Sequence, residues 1–174
     1  MKKGRPSAVQ SEIGQAKPFR SRGQEATAAL LRTASVVSRI MARIVEPHGL
    51  SLAQYNALRI IRGAGNAGIP TLAIRERMLD QGTTITRLLD KLEGAGHIER
   101  ERSFPDRRQV ICRATREGKA LLDELDPLID QADAEVMSAL PARRLGELIE
   151  LLDDVRAANA ERGAARTMAG RPTE

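Results

Sequence analysis

Residues 83–100 read TTITRLLDKLEGAGHIER, and this stretch decides the fold around it. Ile85, Leu88, Leu89 and Leu92 fall at i, i+3, i+4 and i+7, one face of a helix running from Thr83 to about Ala95. Gly96 stands where a left-handed C-terminal cap needs a glycine. Ile98 to Phe104 then follows as a strand, Pro105 to Gln109 as a charged turn and Val110 to Thr115 as a returning strand. Val110, Cys112 and Ala114 share one face of that second strand at period two. Opposite the leucines, Thr83, Thr84, Arg87 and Lys91 project outward, with Thr86 near the edge.

Upstream, a short helix over about 71–79 offers Leu72, Ile74 and Met78 as buried positions, and Asp80-Gln81-Gly82 turns the chain into the helix at Thr83. Two short helices joined by a glycine-bearing turn make a helix–turn–helix. Before them, Ser51 opens a helix that runs to about Gly63. Ser51 and Gln54 have the spacing of a capping box, and Leu50 with Tyr55 that of a hydrophobic staple. Gly63, Gly65 and Gly68 match G-x-G-x-x-G, with Asp90 about 20 residues on. A helix precedes these glycines where a nucleotide fold needs a strand, so a turn between helices is expected.

The outer parts of the chain are helical. From Gln24 to Val45, Leu30, Ala34, Val37, Met41, Ile44 and Val45 recur at helical spacing, and Leu31, Val36 and Ile40 widen the apolar face. Such a helix is either central in its own domain or shared with a second chain. Glu46-Pro47-His48-Gly49 ends it. Downstream, Thr115 can cap a helix with Glu117 in its first turn. Leu121, Leu125, Leu128, Ile129, Ala132, Val136 and Leu140 mark its apolar stripe. Pro127 lies inside that stripe and predicts a kink or a restart, with Asp126 as N-cap. A last helix from Pro141 carries Leu145, Leu148, Ile149, Leu152 and Val155.

The expected fold is mainly α with a small two- or three-stranded β-wing. Its parts are a disordered basic arm over 1–23, helical dimerisation segments over 24–47 and 116–158, a winged helix–turn–helix over 48–115 and a flexible tail over 159–174.

Composition narrows the function. The 174 residues carry a net charge of +5, spread unevenly. Residues 1–47 hold nine Lys and Arg against three Asp and Glu, and residues 48–115 hold eleven against seven. Residues 116–174 reverse this, with eight against thirteen. A basic face favours a polyanion through counterion release. Two Phe, one Tyr and no Trp are too few for stacking unpaired bases. A single cysteine, Cys112, excludes an internal disulfide and a Cys-rich zinc site. His48 and His97 lack the spacing of a metal-binding HExxH helix. No signal peptide or 18-residue apolar run is visible, so a cytoplasmic protein is expected, with no catalytic set and no cofactor.

Three segments together resemble the MarR family of winged helix–turn–helix regulators: LSLAQYNALRII (50–61), TTITRLLDKLEGAGHIER (83–100) and DRRQVICRATREGKALL (106–122). Asp106, Arg108 and Thr115 fit that family's wing pattern, while Ala114 replaces its usual Leu. The resemblance implies a sequence-specific regulator of transcription that binds double-stranded DNA as a homodimer, most simply a repressor responding to a small acidic or aromatic effector. It also implies a ligand pocket between the dimer region and the winged domain, where Arg39, Met41, His48 and Tyr55 are the candidates, with ordinary packing as their other reading. Peroxide sensors of the family carry a cysteine in the first helix, which this chain lacks.

The expected DNA contacts are Thr83, Thr84, Thr86, Arg87 and Lys91 in the major groove and Arg107 and Arg108 at the wing tip, with Asp106 holding one of those arginines. Solvent-exposed pairing of Arg87 or Lys91 with Asp90 is the alternative for the helix. Arg100, Arg102 and Arg113 fit either backbone contacts or strand-edge pairs with Glu99 and Glu101. Lys3-Gly4-Arg5-Pro6 and Gly170-Arg171-Pro172 are similar to the Gly-Arg-Pro core of minor-groove peptides, or form solubilising tails. An architectural or protein-binding winged helix without sequence readout is the competing function.

Overall fold

A computed structural model of the chain describes residues 7–79, 84–104 and 109–169, with side chains as far as Ala160. Residues up to Ala132 form one compact unit and those from Asp133 a second. The first unit begins with α1 (Ala8–Glu12), α2 (Arg22–Val45) and α3 (Leu52–Gly63). It continues through β1 (Ile69–Pro70), α4 (Thr71–Arg77), α5 (Ile85–Gly94), β2 (Ile98–Arg102) and β3 (Val110–Ala114). Helix α6 (Arg116–Met137) crosses into the second unit, which also holds α7 (Ala142–Ala169).

Local chemistry sets the helix starts. The Ser51 hydroxyl accepts from the Gln54 backbone N–H at 3.3 Å, and the Gln54 side chain accepts from the Ser51 N–H at 2.8 Å, completing the capping box. Leu50 and Tyr55 are both buried, as a staple requires. Ser21 caps α2 by accepting from the Gln24 N–H at 3.1 Å, so α2 begins two residues before the sequence pattern does. The Thr115 hydroxyl accepts from the Gly118 N–H at 3.0 Å and donates to the Gly96 carbonyl at 2.7 Å. One threonine thus starts α6 and fastens it to the end of α5.

The sheet is antiparallel in the order β1–β3–β2. Ile69 pairs with Cys112 and Pro70 with Ile111, while Ile98 to Arg102 pair with Ala114 to Val110. β1 is a third strand that periodicity did not predict, because two residues are too few to show an alternation. Leu58, Ile61, Ile74, Leu89, Leu92, Leu122, Leu125 and Cys112 form the centre of the core.

Several expectations change, and α7 also carries helix on to Ala169 where a flexible tail was expected from 159. Residues 7–23 are not all an arm: α1 buries Val9 and packs against α2, where Arg32 donates to Glu12 at 3.3 Å. Leu72 is exposed, because Ile74 takes the buried face of α4, with Met78 buried just past its end, and a residue two positions before Ile74 points about 200° away. Leu122, not Leu121, is fully buried on α6, in phase with Gly118, Leu125, Ile129 and Ala132. Finally, α6 runs through Pro127 as one helix, and Asp126 accepts from Arg62 of α3 at 2.7 Å instead of capping a restart. An interior proline costs about 3 kcal/mol, and each of the leucines and isoleucines buried on either side of it contributes about 1.5–3 kcal/mol.

Candidate nucleic-acid interface

Helix α5 is fixed from behind and left bare in front. Leu88, Leu89 and Leu92 are buried, with Ile85 half-buried at its start. Its C-terminus closes on Gly96 at φ +75°: the His97 N–H reaches the Leu92 carbonyl at 2.9 Å and the Gly96 N–H the Glu93 carbonyl at 2.9 Å. These are the two bonds of a Schellman cap, and they aim the chain straight into β2. Gly118 on α6 holds the same corner. A Cβ there would lie 2.1 Å from the His97 carbonyl oxygen, so only glycine lets α6 pass this closely.

On the outer face Thr84, Thr86, Arg87 and Lys91 are all exposed. Neither Arg87 nor Lys91 has an ion-pair partner among the described residues. The alternative pairing with Asp90 is not formed, because Asp90 accepts from Arg100 of β2 at 2.7 Å. Arg87, Lys91, Thr84 and Leu88 line a groove of about 270 Å³ with Ser51, Ala53 and Gln54 from the first turn of α3. Those three residues at the start of α3 were not singled out from the sequence, which marks Ser51 and Gln54 only as a capping box.

The wing arginines separate. Arg100 is held by Asp90 and Glu93 of α5, and Arg113 by Glu101 at 2.9 Å and the Asn66 carbonyl at 3.0 Å. Only Arg102 of the three is without an ion pair among the described residues, and it is exposed. Thr83, Asp106, Arg107 and Arg108 lie outside the described residues, as do Lys3-Gly4-Arg5-Pro6 and Gly170-Arg171-Pro172. A hairpin bond from the Ser103 N–H to the Gln109 carbonyl, at 2.9 Å, closes the strands below the wing tip. The arrangement can present a helix with two cations and two hydroxyls to a major groove, beside a β-hairpin at the groove's edge.

The family model for the MarR family matches residues 50–110. A MarR transcription factor from Planctomyces limnophilus is 36% identical, and its crystal structure aligns with a TM-score of 0.61 over 78% of this chain and 98% of its own. The chain belongs to the MarR family. The homoprotocatechuate degradative operon repressor of Escherichia coli is 26% identical over 74% of this chain and 85% of its own length. MarR of Escherichia coli, solved with operator DNA, shares the fold at a TM-score of 0.69 and 24% identity, covering 86% of this chain and 99% of that one. As a member of the MarR family this protein is a DNA-binding regulator of transcription.

Other marked residues of this MarR-family chain take structural places. Met41 and Tyr55 are buried, the Arg59 guanidinium sits 5.6 Å from the Tyr55 ring centre, and burial pushes the Tyr55 phenol up. His48 lies 3.6 Å from the Glu124 carboxylate on α6, and Arg39 is exposed on α2. A cavity of about 560 Å³ between α1 and α2 and one of about 580 Å³ beside α4 and β3 draw no wall from these four candidates. Cys112 is fully buried 3.9 Å from the Thr71 hydroxyl, and burial pushes its thiol up, away from the thiolate a redox sensor needs. The glycine turn packs instead of cradling phosphate: a Cβ on Gly68, at φ +72°, would lie 2.6 Å from Ile111. Among the described residues no group of three or more His, Cys, Asp or Glu could hold a metal, and no helix is long and apolar enough to cross a membrane.

Proposed function

We propose that the chain is a homodimeric repressor that reads a palindromic operator in double-stranded DNA and is released by a small acidic or aromatic effector. The observation that carries this reading is the outer face of α5, whose Arg87 and Lys91 have no ion-pair partner among the described residues while its inner face is locked into the core. In this reading Arg87 grips guanine O6 and N7, and Thr84 and Thr86 meet thymine methyls or phosphates. Thr83 joins them in this reading, with Arg107 and Arg108 in the adjacent minor groove and Asp106 bracing the wing.

Dimer formation is supported by large apolar side chains that stay exposed. Leu30, Leu31, Val36 and Ile40 of α2 are exposed, as are Ile149, Leu151 and Val155 of α7. A two-fold dimer sets its recognition helices about 34 Å apart, one turn of DNA. Repression rests on likeness to the operon repressor of Escherichia coli, and in this reading Arg39, Met41, His48 and Tyr55 are the candidate effector contacts. The protein does no chemistry of its own in this reading, needs no cofactor and acts in the cytoplasm.

The experiment is enrichment of duplexes from a random-sequence pool by the purified protein, followed by titration of the enriched duplex and a scrambled one. A palindrome bound at least about 1,000-fold more tightly than the scramble supports a sequence-reading regulator. Equal affinity for both would instead make the protein architectural. Aromatic acids are then titrated into the complex, and failure of any to release the DNA removes the effector.

A further inference from the structure

Arg100 is a charge on the core-facing side of the wing. It pairs across the ladder with Cys112 as Ile98 does with Ala114, and cross-strand partners share a face. Ile98, Cys112 and Ala114 are all buried, so the Arg100 stem lies among apolar neighbours, where a guanidinium must be paired. Both of its partners are on α5. Nη2 donates to Asp90 at 2.7 Å, Nε donates to Glu93 at 2.8 Å, and Nη2 also reaches Glu93. Asp90 precedes Lys91 and follows Arg87 by one helical turn, so an unpaired carboxylate at this point would meet DNA phosphates as a like charge.

We propose that Arg100 is a positioning residue for DNA binding, one that touches no DNA but cancels Asp90 and Glu93 and ties the recognition helix to the wing. This rests on α5 being the DNA-facing helix. The planar fork suits the task, since it reaches two carboxylates at once and fixes the angle between α5 and β2. The hydrogen bond from Arg100 holds the Glu93 carboxyl below its usual range, so the attachment stays ionised at neutral pH. A Lys in its place would restore charge without the fork.

The test compares Arg100→Gln with the same change made alongside Asp90→Asn and Glu93→Gln. The probes are a random-sequence duplex and a duplex the parent protein enriches from a random pool. Arg100→Gln is expected to weaken both by about tenfold or more, because two carboxylates are then bare beside phosphate. Adding the two neutralising changes is expected to bring binding of the random duplex back to within about threefold of the parent, while discrimination between the two duplexes, which needs the tie, stays reduced. Arg100→Lys should recover affinity for the random duplex more than it recovers discrimination between the two. If the triple variant stays as weak as Arg100→Gln, Arg100 itself grips DNA and the assignment is overturned. If Arg100→Gln binds as the parent does, it is overturned as well.

Should Arg100→Gln fail to fold by circular dichroism, Asp90→Asn with Glu93→Gln decides the matter in the parent background. That protein is expected to bind the random duplex at least as tightly as the parent, and weaker binding counts against the proposal. A parent protein that binds neither duplex defeats the DNA reading and this inference with it, a result unlike any of the others.

Discussion

Helices α5 and α7 carry the same kind of apolar stripe and meet opposite fates. On α5, Leu88, Leu89 and Leu92 are all buried by the rest of their own unit. On α7, Ile149, Leu151 and Val155 remain 52%, 63% and 49% exposed, and no described side chain of the helix is buried. Helix α2 divides between the two cases: Met41 and Val45 at its end are buried against the winged part, while Leu30 and Leu31 stay open. A stripe at 3.6-residue spacing says that a helix has an apolar partner. It does not say whether that partner is in the same chain. The winged part covers its own apolar faces, and the faces left open are those the proposed dimer would cover.

The largest expected effect comes from breaking the closed side of this comparison. Leu89→Ala leaves a cavity under the middle of α5 and should cost about 2–5 kcal/mol of stability. A thermal melt reads it, and DNA binding should disappear wherever the variant is unfolded. A melt like the parent's would mean that α5 is not clamped by its leucines.

Breaking the open side should look different. Ile149→Glu puts a charge into the proposed interface, where each apolar side chain contributes about 1.5–3 kcal/mol on burial. Sedimentation should then show monomers at concentrations where the parent is dimeric, with circular dichroism unchanged because the side chain is already half exposed. Unchanged sedimentation would remove α7 from the interface, and a monomeric parent would remove the dimer.

The same contrast explains what could be read in advance. Caps are local, so Ser51 with Gln54, Thr115 and Gly96 were legible from residue type and spacing alone. The buried faces of α3 and α5 were legible because a single partner surface gives a clean period. Residues held by distant partners were not. Asp126 looked like an N-cap beside Pro127, and its engagement by Arg62 depends on how α3 and α6 meet, 64 positions apart in sequence. β1 exists only because Ile111 and Cys112 lie beside it. For the site, the exposure of Thr84, Arg87 and Lys91 opposite the leucines, with Thr86 near the edge, was legible from the helix period. The role of Arg100 was left between DNA backbone and neighbouring glutamates, since its true partners on α5 become neighbours only after the turn at Gly96 folds the chain back.

Within the site, Arg87→Ala sharpens the comparison by removing a side chain that the fold does not use. It should cost roughly 1–3 kcal/mol on the enriched duplex and much less on a scrambled one, with the melting temperature unchanged. Should the variant still discriminate as well as the parent, base reading passes to the threonines or the wing.

The smallest effect is expected at the wing, where contact with DNA steadies register more than it reads sequence. Arg108 matches the family's wing pattern and, under the proposed function, contacts a narrow groove and its flanking phosphates. Removing one phosphate-neutralising cation releases about one fewer counterion on binding, so the logarithm of affinity against the logarithm of salt should flatten by about one unit in Arg108→Ala. Both duplexes should weaken together, which keeps their ratio near the parent's. Arg87→Ala should do the reverse, lowering the ratio more than it changes binding to random DNA. Measured side by side over a salt series, the two variants separate base reading from backbone anchoring. A loss of discrimination in Arg108→Ala as large as that in Arg87→Ala would make the wing a reader of sequence too, and the division of labour between helix and wing would fall.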